Sequence, residues 1–283
     1  MSLPRVMVGG PVRDREWSVP IWLNALLALD YPKHLLTLAI LVNDSTDETE
    51  ACCEWWAERA MSDGWHAAIV ATRDWGCTVD NNARGEYRDY NQFARARDTW
   101  TALRTDEEWI LSLDSDVQVP ADLLLQLVTH ACDANVRMLA AVLNNNVPGA
   151  AWYHTTVMEF DSDGDLWHCR QAFEDRDEEV RPCALTGACC LHHRSIFDEG
   201  HRYEPRDGSV IVDGEDKPFC AGLRLAGIQP HYIPSVRATH WMLPPIETSY
   251  LRDPDWHNRL AHYHRSRAIA ASPLEIVDGT ATG

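Results

Sequence analysis

The sequence predicts an α/β fold with a mostly parallel central sheet and helices on both faces. Strand-like apolar runs alternate with helix-period segments, β-α-β-α-β-α-β, across the first 143 residues. Residues 36–42 (LTLAILV) form a continuous apolar run, as a strand buried on both faces does. At 283 residues, 45% of them hydrophobic and 24% charged, the chain can bury a large core and is not a largely disordered one.

The elements follow in order. Residues 5–9 (RVMVG) read as a short strand, and Gly10-Pro11 as the turn that ends it. Residues 17–29 carry apolar side chains at helical spacing until Tyr31-Pro32, because a residue before proline disfavours the helical region. The strand at 36–42 runs into Asn43-Asp44-Ser45-Thr46, a cluster suited to cap a helix over 47–60. A third strand spans 66–71, and residues 73–90, polar and without a period, read as a long surface loop. A helix follows at about 91–104, then the strand Trp109–Leu113, which ends in Asp114-Ser115-Asp116. Another helix opens after Pro120, and residues 136–143 form a further strand.

The second half is less regular. Strand-like pieces in 151–170 flank a turn at 161–165, and the charged residues 171–181 suggest a loop or lid. Residues 183–191 (CALTGACCL) look like a buried strand in which Gly187 marks a close backbone approach. Gly214-Glu215-Asp216 opens a helix to Ala226, residues 228–241 read as a strand ending at His240-Trp241, and an amphipathic helix is expected near 255–271. With no internal repeat and no apolar-poor linker, the whole of 1–283 is expected to be one domain, with a helical tail at 243–283.

The formal net charge of −18 weighs against a surface built to grip phosphate backbones or anionic membranes. Only Lys33 and Lys217 are lysines; the other cations are arginines, which recognise phosphate and carboxylate bidentately, although a lineage bias gives the same count. Nine cysteines without a CxxC pair are a poor pattern for a disulfide framework or a zinc site. Neither a signal peptide nor a membrane span is visible, so a reduced, cytoplasmic protein is expected.

Three groups could carry chemistry. Asp114 and Asp116, one residue apart at a strand end, could converge on a divalent cation, although an Asx-type turn looks the same. His240 closes a strand and could be a metal ligand, although alone it reads as a packed histidine. Glu215-Asp216 at a helix start is either a cap or a general base, with Lys217 beside it favouring the ionised carboxylate.

The order of these pieces resembles the GT-A glycosyltransferases, family 2 in particular. Val42-Asn43-Asp44-Ser45-Thr46-Asp47-Glu48-Thr49 is similar to that family's VDDGSTDGT, and Ala94-Arg95-Ala96-Arg97-Asp98 to its A-R-A-R-N. Asp114–Asp116 resembles its DxD, Thr186-Gly187-Ala188 its glycine-containing acceptor strand, Gly214-Glu215-Asp216 its xED, and His240 its late histidine. The likeness runs from about residue 5 to 242, and it implies a Rossmann-like fold with a nucleotide-binding half at 1–116, an acceptor and catalytic half at 117–242 and a smaller mixed sheet on the acceptor side. Three departures are present: Asn43 stands for the first Asp, Asp98 for the usual Asn, and a glycine after Asp44 is missing.

The resemblance implies transfer of a sugar from a nucleotide-diphosphate donor (UDP-, GDP- or dTDP-linked) to an acceptor hydroxyl, with Mn²⁺ or Mg²⁺. It implies that Asp44 meets the base, Pro11, Arg13 and Ser115 line the nucleotide pocket, and Arg97 reaches the nucleotide or diphosphate. Asp114 is implied to touch ribose or a metal-bound water and to stand with Asp116 and His240 among the metal ligands, and Asp216, with Glu215 beside it, is the implied base of an inverting, non-processive reaction. A Q-x-x-R-W motif, typical of processive synthases, is missing. A retaining transferase of the same fold and a non-catalytic sugar- or nucleotide-binding protein are the alternatives. The acceptor could be a glycan, a lipid-linked sugar, a small molecule or a modified nucleic acid, with Trp75, Tyr87, Tyr90 and Trp167 as candidate walls.

Overall fold

A computed structural model describes residues 3–77, 89–146, 156–211 and 214–241. Strand β1 (Val6–Val12) pairs in parallel with β2 (Leu36–Asn43), which is buried along its whole length. Helix α1 (Val19–Leu27) joins them, with Pro20 in its first turn, where a missing amide breaks no helical bond. Helix α2 (Thr49–Ser62) crosses to β3 (Ala67–Arg73), parallel to β2. Helix α3 (Tyr90–Thr101) starts at Asp89, whose carboxylate accepts the amides of Asn91 and Gln92. Strand β4 (Trp109–Leu113) then returns alongside β1, again in parallel.

After the short β5 (Val117–Gln118) come α4 (Leu123–Asp133) and β6 (Met138–Asn145). Strands β7 (Met158–Phe160) and β8 (Leu166–His168) make a separate antiparallel pair. Helix α5 (Arg170–Glu174), β9 (Arg181–Pro182), β10 (Cys189–His193), α6 (Ser195–Asp198), α7 (Asp216–Leu225) and β11 (His231–His240) complete the described chain. The main sheet has the order β3-β2-β1-β4-β10-β6-β11-β5, with β9 on β11. Apolar clusters pack on both of its faces, one under α1, α2 and α4 and the other under α3 and α7.

Four features differ from the sequence reading. Gly10-Pro11 does not end β1, which continues to Val12. The ladder to β4 stops at Gly9, so beyond it β1 is an edge on that side, where proline is tolerated. Second, β10 is inserted between β4 and β6, antiparallel to both; an apolar run carries no information about strand direction. Third, the strand expected over 183–191 begins only at Cys189, because Ala188 adopts a left-handed backbone, φ 61°, and sends its carbonyl to the Asp114 amide at 2.8 Å. Fourth, the charged stretch opens with α5, whose first turn is capped by Cys169 Sγ accepting the Ala172 amide. The expected helix at 255–271 and most of the loop at 73–90, Tyr87 included, lie outside the described residues. All nine cysteines are free, and no helix among the described residues is long and apolar enough to cross a membrane.

Candidate active site

The carboxyl ends of β1, β2 and β4 meet in an open cleft lined by Pro11, Arg13, Asn43, Arg97, Asp114 and Glu215, with Ser115 and Asp116 on its floor. Where β4 stops, the chain turns tightly, the Val117 amide donating to the Asp114 carbonyl at 3.0 Å. Strand β5 then pairs with the end of β11, setting His240 opposite Val117. That register brings Asp116 Oδ1 to 3.3 Å from His240 Nε2, and the Trp241 amide donates to the Asp116 carbonyl at 2.8 Å. Residues far apart in the chain become neighbours through one short antiparallel ladder.

Arg97, on the inner face of α3, is the hub. It is 5% exposed. Its Nη2 donates to Asp114 Oδ1 at 2.7 Å, Nε to Glu215 Oε1 at 2.9 Å and Nη1 to Ser112 Oγ at 3.2 Å. Burial works against its charge, but Asp114, Glu215 and Asp216 outweigh it and hold the guanidinium protonated well above the ordinary arginine range. Asp114, expected to meet ribose or a metal-bound water, thus has one carboxylate oxygen held by Arg97. Glu215, expected beside the base, is its buried counter-ion, 7% exposed.

Asp216 is the first residue of α7, at the end of the helix dipole that stabilises a carboxylate. Its side chain lies directly against the backbone of Gly187: a β-carbon there would stand 2.6 Å from the Asp216 carboxylate carbon. The close approach expected at Gly187 is therefore an approach to Asp216. The left-handed Ala188 that follows orients both this contact and the bond to Asp114.

Next to the cleft residue Asn43, Asp44 also has a left-handed backbone, φ 48°. Its Oδ1 accepts the amides of Trp75 at 2.7 Å and Cys77 at 3.0 Å, and its Oδ2 the amide group of Asn43 at 3.2 Å. Burial raises its pKa, yet these three donors and the Arg13 charge carry it below the ordinary carboxylate value. Asp44 thus ties β2 to the loop after β3, while Asn43 lines the cleft. Arg13 folds onto Cys77, donating to Sγ at 2.9 Å and to the carbonyl at 3.0 Å. Trp75, a candidate acceptor wall, sits beside Asp44 and under the Arg95 guanidinium, 4.7 Å from the ring centroid. Trp167 is 63% exposed on β8.

The structure therefore gathers the Asp114 turn, Arg97, Glu215 and Pro11 in one cleft, pairs Asp116 with His240, and sets Asp216 against Gly187. Among the described residues, no three His, Cys, Asp or Glu side chains converge as a metal cage. Sequence reasoning did not single out Cys77, which lines the cleft, or Tyr203, whose buried ring lies 5.6 Å from the Arg97 guanidinium: neither belongs to a periodic segment.

The model of the Anp1 family matches residues 2–146. The chain belongs to the Anp1 family. Anp1 proteins form a GT-A-like glycosyltransferase family, so the fold expected from the motifs is the one observed. Among solved structures, the Staphylococcus aureus TarS fragment 1–349 in complex with UDP is 14% identical, with a TM-score of 0.52 over 83% of this chain and 60% of that one. GalNAc-T7 with UDP, GalNAc and Mn²⁺ is 13% identical, with a TM-score of 0.59 over 84% of this chain and 44% of that one. At such identities the likeness concerns the fold. This Anp1-family chain spans 60% or less of the length of those two proteins. No curated protein matches it.

Proposed function

We propose that this Anp1-family chain transfers a sugar from a nucleotide-diphosphate donor, a UDP-sugar, to an acceptor hydroxyl. The observation that carries the reading is the Arg97 hub. It ties Asp114, two residues before Asp116, to Glu215, the residue before Asp216, and so holds the start of α7 to the end of β4. UDP in the TarS and GalNAc-T7 structures supports the choice of nucleotide, and Mn²⁺ in the second supports a divalent cation.

Asp116 and His240 fit such a cation. Their facing atoms are 3.3 Å apart, close to the roughly 3 Å between adjacent ligands each about 2.1 Å from a metal. When bound there, the cation would neutralise charge growing on the departing diphosphate. Arg97 holds Asp114 at the same end of the cleft and sets the position of the turn. Asp216 accepts the proton of the acceptor hydroxyl, whose oxygen attacks the anomeric carbon. The bond from that carbon to the diphosphate breaks, the diphosphate leaves with the electron pair, and configuration inverts. The acceptor enters beside Gly187, against which the Asp216 side chain lies.

A melting-temperature panel of UDP-, GDP- and dTDP-sugars, with and without Mn²⁺, tests the donor; saturation at a hundredfold Kd adds about 2.7 kcal/mol. The expected result is a shift with UDP-sugars that needs Mn²⁺ and disappears in Asp116→Ala. Asp216→Asn should keep the shift and lose transfer. Wild-type transfer by Asp216→Asn would rule out the base, and an equal shift without metal would rule out the cation site.

A further inference from the structure

We propose that Asp98 and Tyr203 form a latch that positions helix α7, and with it the Asp216 carboxylate, for turnover. The inference rests on Asp216 being the base. Asp98 follows Arg97 on α3. Its Oδ1 accepts the Tyr203 amide at 2.9 Å and its Oδ2 the Glu204 amide at 3.0 Å. Both oxygens of one carboxylate thus hold a single loop more than a hundred residues away, a task for which the usual Asn has one acceptor too few.

That grip places the Tyr203 ring, which is buried. The ring stacks on Phe219 with centroids 4.0 Å apart and planes 15° apart. The Arg97 guanidinium lies 5.6 Å from the same ring. Phe219 is one helical turn beyond Asp216 and stacks in turn on Phe197, centroids 6.1 Å apart. Consecutive residues of α3 therefore reach α7 at two points. Arg97 holds its start through Glu215, and Asp98 holds its next turn through Tyr203 and Phe219. One attachment sets a distance, whereas two also set the tilt of the helix, and the tilt decides where the Asp216 carboxylate sits against Gly187. Asp98 and Tyr203 are positioning residues on this account, acting through α7.

The test uses the full chain and the donor selected by the melting panel, with donor hydrolysis as turnover and UDP with Mn²⁺ as the binding probe. Asp98→Ala and Tyr203→Leu should lower kcat about ten- to a hundredfold, the penalty of a misplacement near 1 Å. UDP affinity should stay within about threefold, because Arg97, the cleft residue beside the Tyr203 ring, keeps its bonds to Asp114 and Glu215 in these variants. Asp98→Asn, which keeps one acceptor, should fall in between, and it decides alone should Asp98→Ala not fold. Amide hydrogen exchange at Lys217, Phe219 and Cys220 should speed up in each variant. A kcat within about twofold of wild type overturns the latch. So does a loss of UDP affinity that matches the loss of kcat, or unchanged exchange in α7. Asp216→Asn is run alongside: if it turns over normally, the base assignment falls, and the exchange data still judge whether Asp98 holds α7.

Discussion

Gly187→Ala is the sharpest perturbation of this site. The added methyl would stand 2.6 Å from the Asp216 carboxylate carbon, whereas carbon atoms in contact sit about 3.5 Å apart. The carboxylate must retreat by about 1 Å. A displacement of that size at a reacting group costs up to about 100-fold in rate, or about 2.7 kcal/mol in the barrier. Because the clash meets the end of a side chain, the fold should survive, and UDP affinity should hold because Asn43 and Asp44 stand at the end of β2 and not on the Gly187 segment. The assay is donor turnover at saturating UDP-sugar, read beside UDP binding and the melting temperature, in Gly187→Ala, Asp216→Asn and the double variant. If the methyl acts through Asp216, the double variant is no slower than Asp216→Asn. A folded Gly187→Ala enzyme with kcat within about threefold of wild type would refute the placement of Asp216, and full additivity in the double variant would refute the route.

Two further outcomes follow from the charges. Arg97→Leu strands the buried Glu215 and the half-buried Asp114, and should lower unfolding free energy by about 3 kcal/mol in urea titrations; a loss under about 1 kcal/mol would contradict the hub. Burial, then the Arg97 charge, pushes the His192 pKa from 6.5 to about 3, so below pH 6.5 the unfolded chain binds a proton that the folded one refuses. The stability tied to His192 is therefore full above pH 6.5 and falls by roughly 1.4 kcal/mol per unit on the way down to about 3. His192→Leu should remove that slope, and a stability difference between the two proteins that is constant from pH 7 to 4.5 would count against it.

Much of this site is legible in the chain. The run Trp109–Leu113 ends at the DxD turn as a buried strand must, and Glu215-Asp216 opens a helix where the apolar spacing begins. Gly187 was readable as a tight spot, although not that its neighbour is Asp216. The antiparallel insertion of β10 was not legible, because hydrophobicity reports burial and says nothing of direction. Nor was the role of Asp98, which depends on two loop amides in a segment with no period of its own.

Alternating apolar runs by themselves determined a layered α/β sheet, and with it that Asp44, Asp114 and His240 stand at strand ends, where such sheets bind ligands. Burial periodicity is a local property, carried by each segment's own residues. Which carboxylate meets which partner is not local. Arg97 lies 118 residues from Glu215 and 17 from Asp114, and it takes both. Asp116 is left to His240 by the pairing of β5 with β11. Only the tertiary structure decided that division, because a charge pairs with whatever packing brings within about 3 Å, and sequence spacing does not set that distance.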